Sequence, residues 1–198
     1  MLMLFLNDSR DNVNNNLIEE RYKRNYSDYF AFCNKIRIII WRFQTGIIMP
    51  DHELYMRMAI GLAETARDHD EVPVGAVLVA ESGEILASAF NQPVSSSDPA
   101  AHAEILALRR AGARISNYRL LNTTLYVTIE PCLMCMGAII HARVKTVVFG
   151  AADTKWGAAG SLYNFAEDSR LNHHPEIISG VCETSCRQLI QSFFSTRR

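Results

Sequence analysis

Apolar residues recur along this chain at two spacings, and the switches between them mark the elements. From Asp51, the run Leu54, Met58, Leu62 and Ala66, with Ala59 and Ala63 alongside, has a helical period, and Asp51 is placed to cap it. Val72 to Ala80 is almost wholly apolar and predicts a buried strand. Ser82-Gly83 is a turn, and Ile85 to Phe90 predicts a second strand paired back as a hairpin. Pro93 to Pro99 is a loop rich in Ser and Pro. Asp98-Pro99 opens a helix from about Ala100 to Ala111, which Gly112 ends. Thr123 to Ile129 alternates as a strand, and Pro131 suits the first turn of a helix reaching about Ala142. Val144 to Phe149 predicts a strand closed by Gly150. A loop through Gly157 and Gly160, a short strand at Glu176 to Ile178 and a helix from about Cys182 to Phe194 complete the pattern. This order predicts an α/β fold, a mixed sheet with helices on both faces.

The first fifty residues lack this regularity. Met1 to Leu6 is apolar, but Asn7, Asp8 and Asp11 follow, so no signal-peptide core forms. Asn12 to Asn16 predicts disorder. Ile36 to Ile48 carries Arg37 and Arg42 and falls short of the roughly 20 residues that cross a bilayer, so no membrane association is expected. We divide the chain into an N-terminal extension, 1–50, poorly ordered or not native, and a single domain, 51–198.

Composition narrows the class. With 198 residues, 48% hydrophobic and 21% charged, the chain suits one globular domain with a sizeable core. A net charge of -1 and a pI near 6.6 give no global nucleic-acid footprint. Cys33, Cys132, Cys135, Cys182 and Cys186 come with no secretion signal, which points to a reducing compartment, the cytoplasm. There Cys132-Leu-Met-Cys135 reads as a metal clip. A redox dithiol is the rival, but it leaves His102 and Glu104 without a role.

The two motifs His102-Ala103-Glu104 and Pro131-Cys132-Leu133-Met134-Cys135 carry the chemistry. Each is placed at the start of a helix that follows a strand. Two cysteines at i,i+3 share one helix face, and positive helix ends favour thiolates. His102, Cys132 and Cys135 supply three zinc ligands, one short of the four that a structural site fills. His141 is the candidate fourth ligand for a structural zinc, and nearly two turns beyond Cys135 it is a poor one. This is the pattern of zinc-dependent base deaminases, in which zinc activates water and a glutamate outside the metal shell shuttles protons. Glu104 takes that role, and one Zn2+ is expected per subunit.

Further stretches carry a family likeness: Glu71 to Val79, Ala101 to Leu108, Asn117-Tyr-Arg-Leu120, Thr124 to Ala138, and Gly157-Ala-Ala-Gly-Ser161. Together they resemble the bacterial tRNA-specific adenosine deaminases over roughly Asp51 to Arg198, and not over 1–50. The resemblance implies a cytidine-deaminase-like three-layer α/β/α sandwich with a mixed central sheet. It implies a homodimer and hydrolytic conversion of adenosine to inosine at the wobble position of a tRNA anticodon, on an arginine tRNA in bacteria. His102, Cys132 and Cys135 match the family's zinc ligands and Glu104 its proton shuttle. Asn91 matches a residue that hydrogen-bonds the flipped base, with ordinary turn chemistry as the alternative. Ala103 would offer a backbone group at the pocket floor, and Pro131-Cys132 a backbone N–H. Asp153 matches a loop residue near a flanking sugar, or it is a loop cap. Ala152 and Trp156 depart from the family, and Trp156 is expected to pack more than to stack.

A hold on RNA must come from a local patch, because residues 51–198 carry 13 basic and 16 acidic side chains. We expect a basic rim that includes Lys155, Arg197 and Arg198. Phe194 is the candidate to stack on a base, and Phe193 continues the core stripe of Cys182, Cys186 and Leu189. Met134, Met136, Ala138, Ile139 and Ile140 divide between sheet burial and a dimer face. The rivals are a free-base or nucleotide deaminase with the same chemistry and a non-catalytic RNA-binding partner, for which Glu104 would be dispensable. Basic residues from Arg21 to Arg42 could form an accessory RNA arm. The preferred reading starts the native chain near Met49.

Overall fold

The computed structural model describes residues 51–197; the expectations for 1–50 and for Arg198 lie outside them. The elements in chain order are α1 (His52–Asp68), β1 (Gly75–Ala80), β2 (Ile85–Phe90), α2 (Pro93–Ser96), α3 (Ala103–Ile115), β3 (Thr123–Ile129), α4 (Leu133–His141), β4 (Thr146–Ala151), β5 (Glu176–Ser179) and α5 (Glu183–Ser195). No helix among the described residues is long and apolar enough to cross a membrane.

The sheet runs β2-β1-β3-β4-β5. β1 is antiparallel to both β2 and β3, while β3, β4 and β5 are parallel. Four strands therefore end at one edge, where β1 begins. Alternate side chains separate two cores. Ala76, Leu78, Leu125, Val127, Val147 and Phe149 pack under α3 and α4. Val77, Val79, Tyr126 and Val148 pack with Met56 and Ala59 of α1 and Cys186 of α5. A strand covered on both faces needs apolar residues at every position, which is why 72–80 reads as a continuous run. The mixed sheet and the three-layer sandwich are as expected.

Several boundaries and faces differ from the periodicity. α1 buries Met56, Ala59, Ala63 and Ala66, while Leu54 and Met58 are 48% and 40% exposed. The stripe is rotated because small residues let α1 approach the sheet closely. At Gly75 a Cβ would overlap the Ala59 carbonyl oxygen and lie 2.7 Å from Ala63 N. β1 starts only at Gly75, since Pro73 has no N–H for the ladder. The 93–99 loop contains the short helix α2, with Pro93 in its first turn. Gly112 does not end α3; the helix runs to Ile115, and Ser116 takes the left-handed cap at φ 52. β4 spans Gly150, where a side chain would collide with Cys186 of α5, so the glycine marks a helix–sheet contact and not a strand end.

Glu71, 1% exposed, sits between α1 and β1. Its carboxylate accepts the N–H groups of Ser95 (2.7 Å) and Val94 (3.2 Å) at the start of α2. Burial alone would raise its carboxyl pKa, but these donors outweigh burial and hold it below the usual glutamate value.

Two outcomes follow from this packing. Gly75→Ala should destabilise the fold by about 3 kcal/mol in urea unfolding, because rigid backbone occupies the space. A lowered carboxyl pKa stabilises the native state above the unfolded-chain value, and that contribution is lost as pH falls through the folded value. The stability gap between wild type and Glu71→Gln should therefore be flat near neutrality and close as pH drops below about 4.3.

Candidate metal centre

The edge at which four strands end carries the chemistry. β2 ends at Phe90, and Asn91 begins the connection to α3. β3 ends at Ile129 and leads through Glu130 and Pro131 into α4. His102 is the N-cap of α3 and Cys132 the N-cap of α4, both with extended backbone, and Cys135 lies in the first turn of α4. Neither cap side chain is used to cap its own helix. Both are thus free for a ligand.

His102, Cys132 and Cys135 converge, with their ligand atoms all within 4.8 Å of one another. His102 Nδ1 lies 3.7 Å from Cys132 Sγ and 3.6 Å from Cys135 Sγ. A tetrahedral zinc with bonds of about 2.3 Å to sulfur and 2.05 Å to nitrogen separates those atoms by about 3.6 Å. The donor set therefore fits zinc without rearrangement, and Nδ1 is the imidazole nitrogen that faces the two sulfurs. His141 is exposed at the C-terminal end of α4 and is not in this group, as its spacing indicated.

The three donors perturb one another's protonation. Hydrogen bonding from Cys135, against burial and with help from His102, lowers the Cys132 thiol pKa to about 4. Cys135 is pushed up by that neighbouring sulfur and by burial. The Cys132 sulfur also raises His102, against its burial. A divalent cation would satisfy all three at once.

Glu104 lies in the first turn of α3 and is 2% exposed. Burial raises its carboxyl above the usual range. Its Oε2 is buried with no hydrogen-bond partner, the one such side-chain atom among the described residues. Such an atom is costly to bury, so its retention marks a group held ready for something that enters the site.

Asn91, 6% exposed, accepts the Ala103 N–H through Oδ1 at 2.8 Å. The Ala103 amide is thus committed to the protein. Asp153 Oδ1 accepts the N–H groups of Lys155 and Trp156, which is the loop-cap geometry. Lys155 is exposed, and Trp156 is 65% exposed, which corrects the expectation that it packs: the indole projects from the loop with its backbone fixed by Asp153. Phe193 is buried in the core as expected, while Phe194 is 48% exposed and meets the Phe193 ring edge-on. Arg197 lies over the Phe193 ring at 3.9 Å and pairs with Asp70 at 2.7 Å.

The stretches that carry the family likeness include Glu71 and Glu130, but the sequence pattern points to no role for either. Glu130 is 2% exposed, and its carboxylate takes N–H groups from Asp153, Ala159 and Ser161. One signal was available. A lone acid at the end of a strand buried on both faces must find donors, and the Gly/Ala-rich loop beyond β4 is rich in free backbone N–H groups.

Comparison with known proteins agrees with this geometry. Residues 49–151 match the zinc-binding region of cytidine and deoxycytidylate deaminases. The tRNA-specific adenosine deaminase of Haemophilus influenzae is 51% identical over 146 residues, 74% of this chain and 84% of that protein. That of Bacillus subtilis is 45% identical over 150 residues, 76% and 92% of the two chains. A solved structure from work on A-to-I editing by tRNA:A34 deaminases at the wobble position superposes with a TM-score of 0.66 at 38% identity, covering 68% of this chain and 97% of that one. The chain belongs to the cytidine and deoxycytidylate deaminase family and, within it, to the zinc-dependent tRNA-specific adenosine deaminases.

Proposed function

We propose that the protein converts adenosine to inosine by hydrolysis at the wobble position of a tRNA anticodon, in a bacterial arginine tRNA, in the cytoplasm. The observation that carries this reading is the orphaned Oε2 of Glu104 beside three zinc-grade donors. The substrate follows from the names of the relatives at 45–51% identity.

His102, Cys132 and Cys135 would hold one zinc per subunit, whose Lewis acidity makes water nucleophilic near neutral pH. Glu104 Oε2 takes the proton of the attacking water and delivers it to the purine ring nitrogen. It later protonates the amine that leaves C6. Adenosine and water thus become inosine and ammonia. Asn91 spends Oδ1 on Ala103 and keeps its Nδ2 donors for the flipped base. Asp153 and Lys155 belong to the loop beside Cys132, where a flanking nucleotide would lie. Phe194 offers an exposed ring for stacking, and Arg197 a cation that can exchange Asp70 for phosphate. The homodimer rests on the family resemblance, and the groove of about 720 Å³ between α3 and α4, lined by Leu108, Met134 and Ala138, is an apolar face that a second copy would cover.

Glu104→Gln should retain zinc by elemental analysis and lose about 10²–10⁴-fold in turnover. Inosine formation in an anticodon stem-loop, set against ammonia release from cytidine, guanine and deoxycytidylate, separates this substrate from the free-base and nucleotide alternatives. Phe194→Ala should weaken stem-loop binding about tenfold while zinc content stays constant, as expected for one lost base–aromatic stack.

A further inference from the structure

Glu130 makes no contact that the chemistry above requires, yet it is among the most buried acids of the domain. Its Oε1 accepts the N–H groups of Ala159 (2.9 Å) and Ser161 (3.0 Å). Its Oε2 accepts the Asp153 N–H (3.1 Å) and the Ser161 hydroxyl. A carboxylate has about four lone-pair sites, so its accepting capacity is filled, and every donor comes from the single loop 153–161.

The same loop is sewn to the turn that carries the first cysteine. Gly157 bridges Cys132, and Ala158 donates to the Pro131 carbonyl at 2.9 Å. A Cβ at Gly157 would run into the Glu130 carboxyl, so the loop backbone rests directly on it. Beyond this anchored side the loop exposes Lys155 and Trp156, whose N–H groups are fixed by Asp153. A loop with no strand or helix of its own would otherwise sample many conformations, and ordering it on each encounter would cost affinity.

We propose that Glu130 is a positioning residue. Its carboxylate preorganises the 153–161 loop beside Cys132, so that Asp153, Lys155 and Trp156 present a fixed wall to the nucleotides flanking the reacting base. This rests on the RNA-loop substrate proposed above. Glu130 neither binds the metal nor handles a proton. Its loss should act on substrate capture and spare the chemical step.

Glu130→Gln keeps the volume but sets an amide donor against one of the N–H groups. The full chain, zinc-loaded, is compared with wild type on an anticodon stem-loop. KM should rise about tenfold with kcat within about threefold, at unchanged zinc content. Ser161→Ala, which removes one donor, should shift KM the same way by less. Amide hydrogen exchange is the substrate-free readout: the N–H groups of Ala159 and Ser161 should lose protection in Glu130→Gln, with α3 and α4 unchanged. An unchanged KM, with activity falling only in step with zinc content or folded protein, would overturn the proposal. So would full protection of Ala159 and Ser161. If the wild type fails on the stem-loop, the substrate assignment falls, and hydrogen exchange alone then decides whether Glu130 orders the loop.

Discussion

One imidazole nitrogen and two sulfurs meet at the edge where four strands end, and most of the domain can be understood as what that meeting requires. His102 reaches it from the start of α3, and Cys132 and Cys135 from the start of α4. The sequence separation is about thirty residues, so only a rigid sheet can hold the two helix ends at a ligand-to-ligand spacing of 3.6–3.7 Å. The parallel pairing of β3 with β4 and the double antiparallel pairing of β1 supply that rigidity. The N-terminus of α4 also favours the thiolate form of Cys132.

Around this cluster the polar groups divide by what satisfies them. Glu71 and Glu130 are buried with both carboxylate oxygens engaged, Glu71 by two backbone N–H groups under the connection from β2 to α3, and Glu130 by three backbone N–H groups and the Ser161 hydroxyl under the loop after β4. Glu104 is equally buried, but one oxygen has no partner. Buried acids that are satisfied hold structure; the one that is not stands beside the His102, Cys132 and Cys135 donors. That contrast distinguishes scaffold from chemistry among three glutamates of nearly identical exposure.

Much of this was legible in the residues. The clustering of His102, Cys132 and Cys135, the place of Glu104 beside them and the layered fold follow from two short motifs and the order of elements. The face of α1 did not, because alanines that allow close approach carry little hydrophobic weight, while Leu54 and Met58 carry more and remain half-exposed. Gly112 and Gly150 resemble terminators in one dimension. In three dimensions Gly150 marks where α5 lies close to β4, and Gly112 is an interior helix residue. Glu130 was hidden because its four donors come from up to thirty-one residues further along the chain. The place of Arg197 depended on Asp70, 127 residues away in the chain, a neighbour that no local pattern reveals.

The central claim is the composition of the metal shell, and zinc K-edge X-ray absorption on the purified protein addresses it directly. The account predicts two sulfur scatterers at about 2.3 Å and two nitrogen or oxygen scatterers at about 2.0–2.1 Å. A shell of four sulfurs, a shell of light atoms alone, or loss of the two-sulfur signature without the Cys132 and Cys135 thiols being oxidised would contradict it.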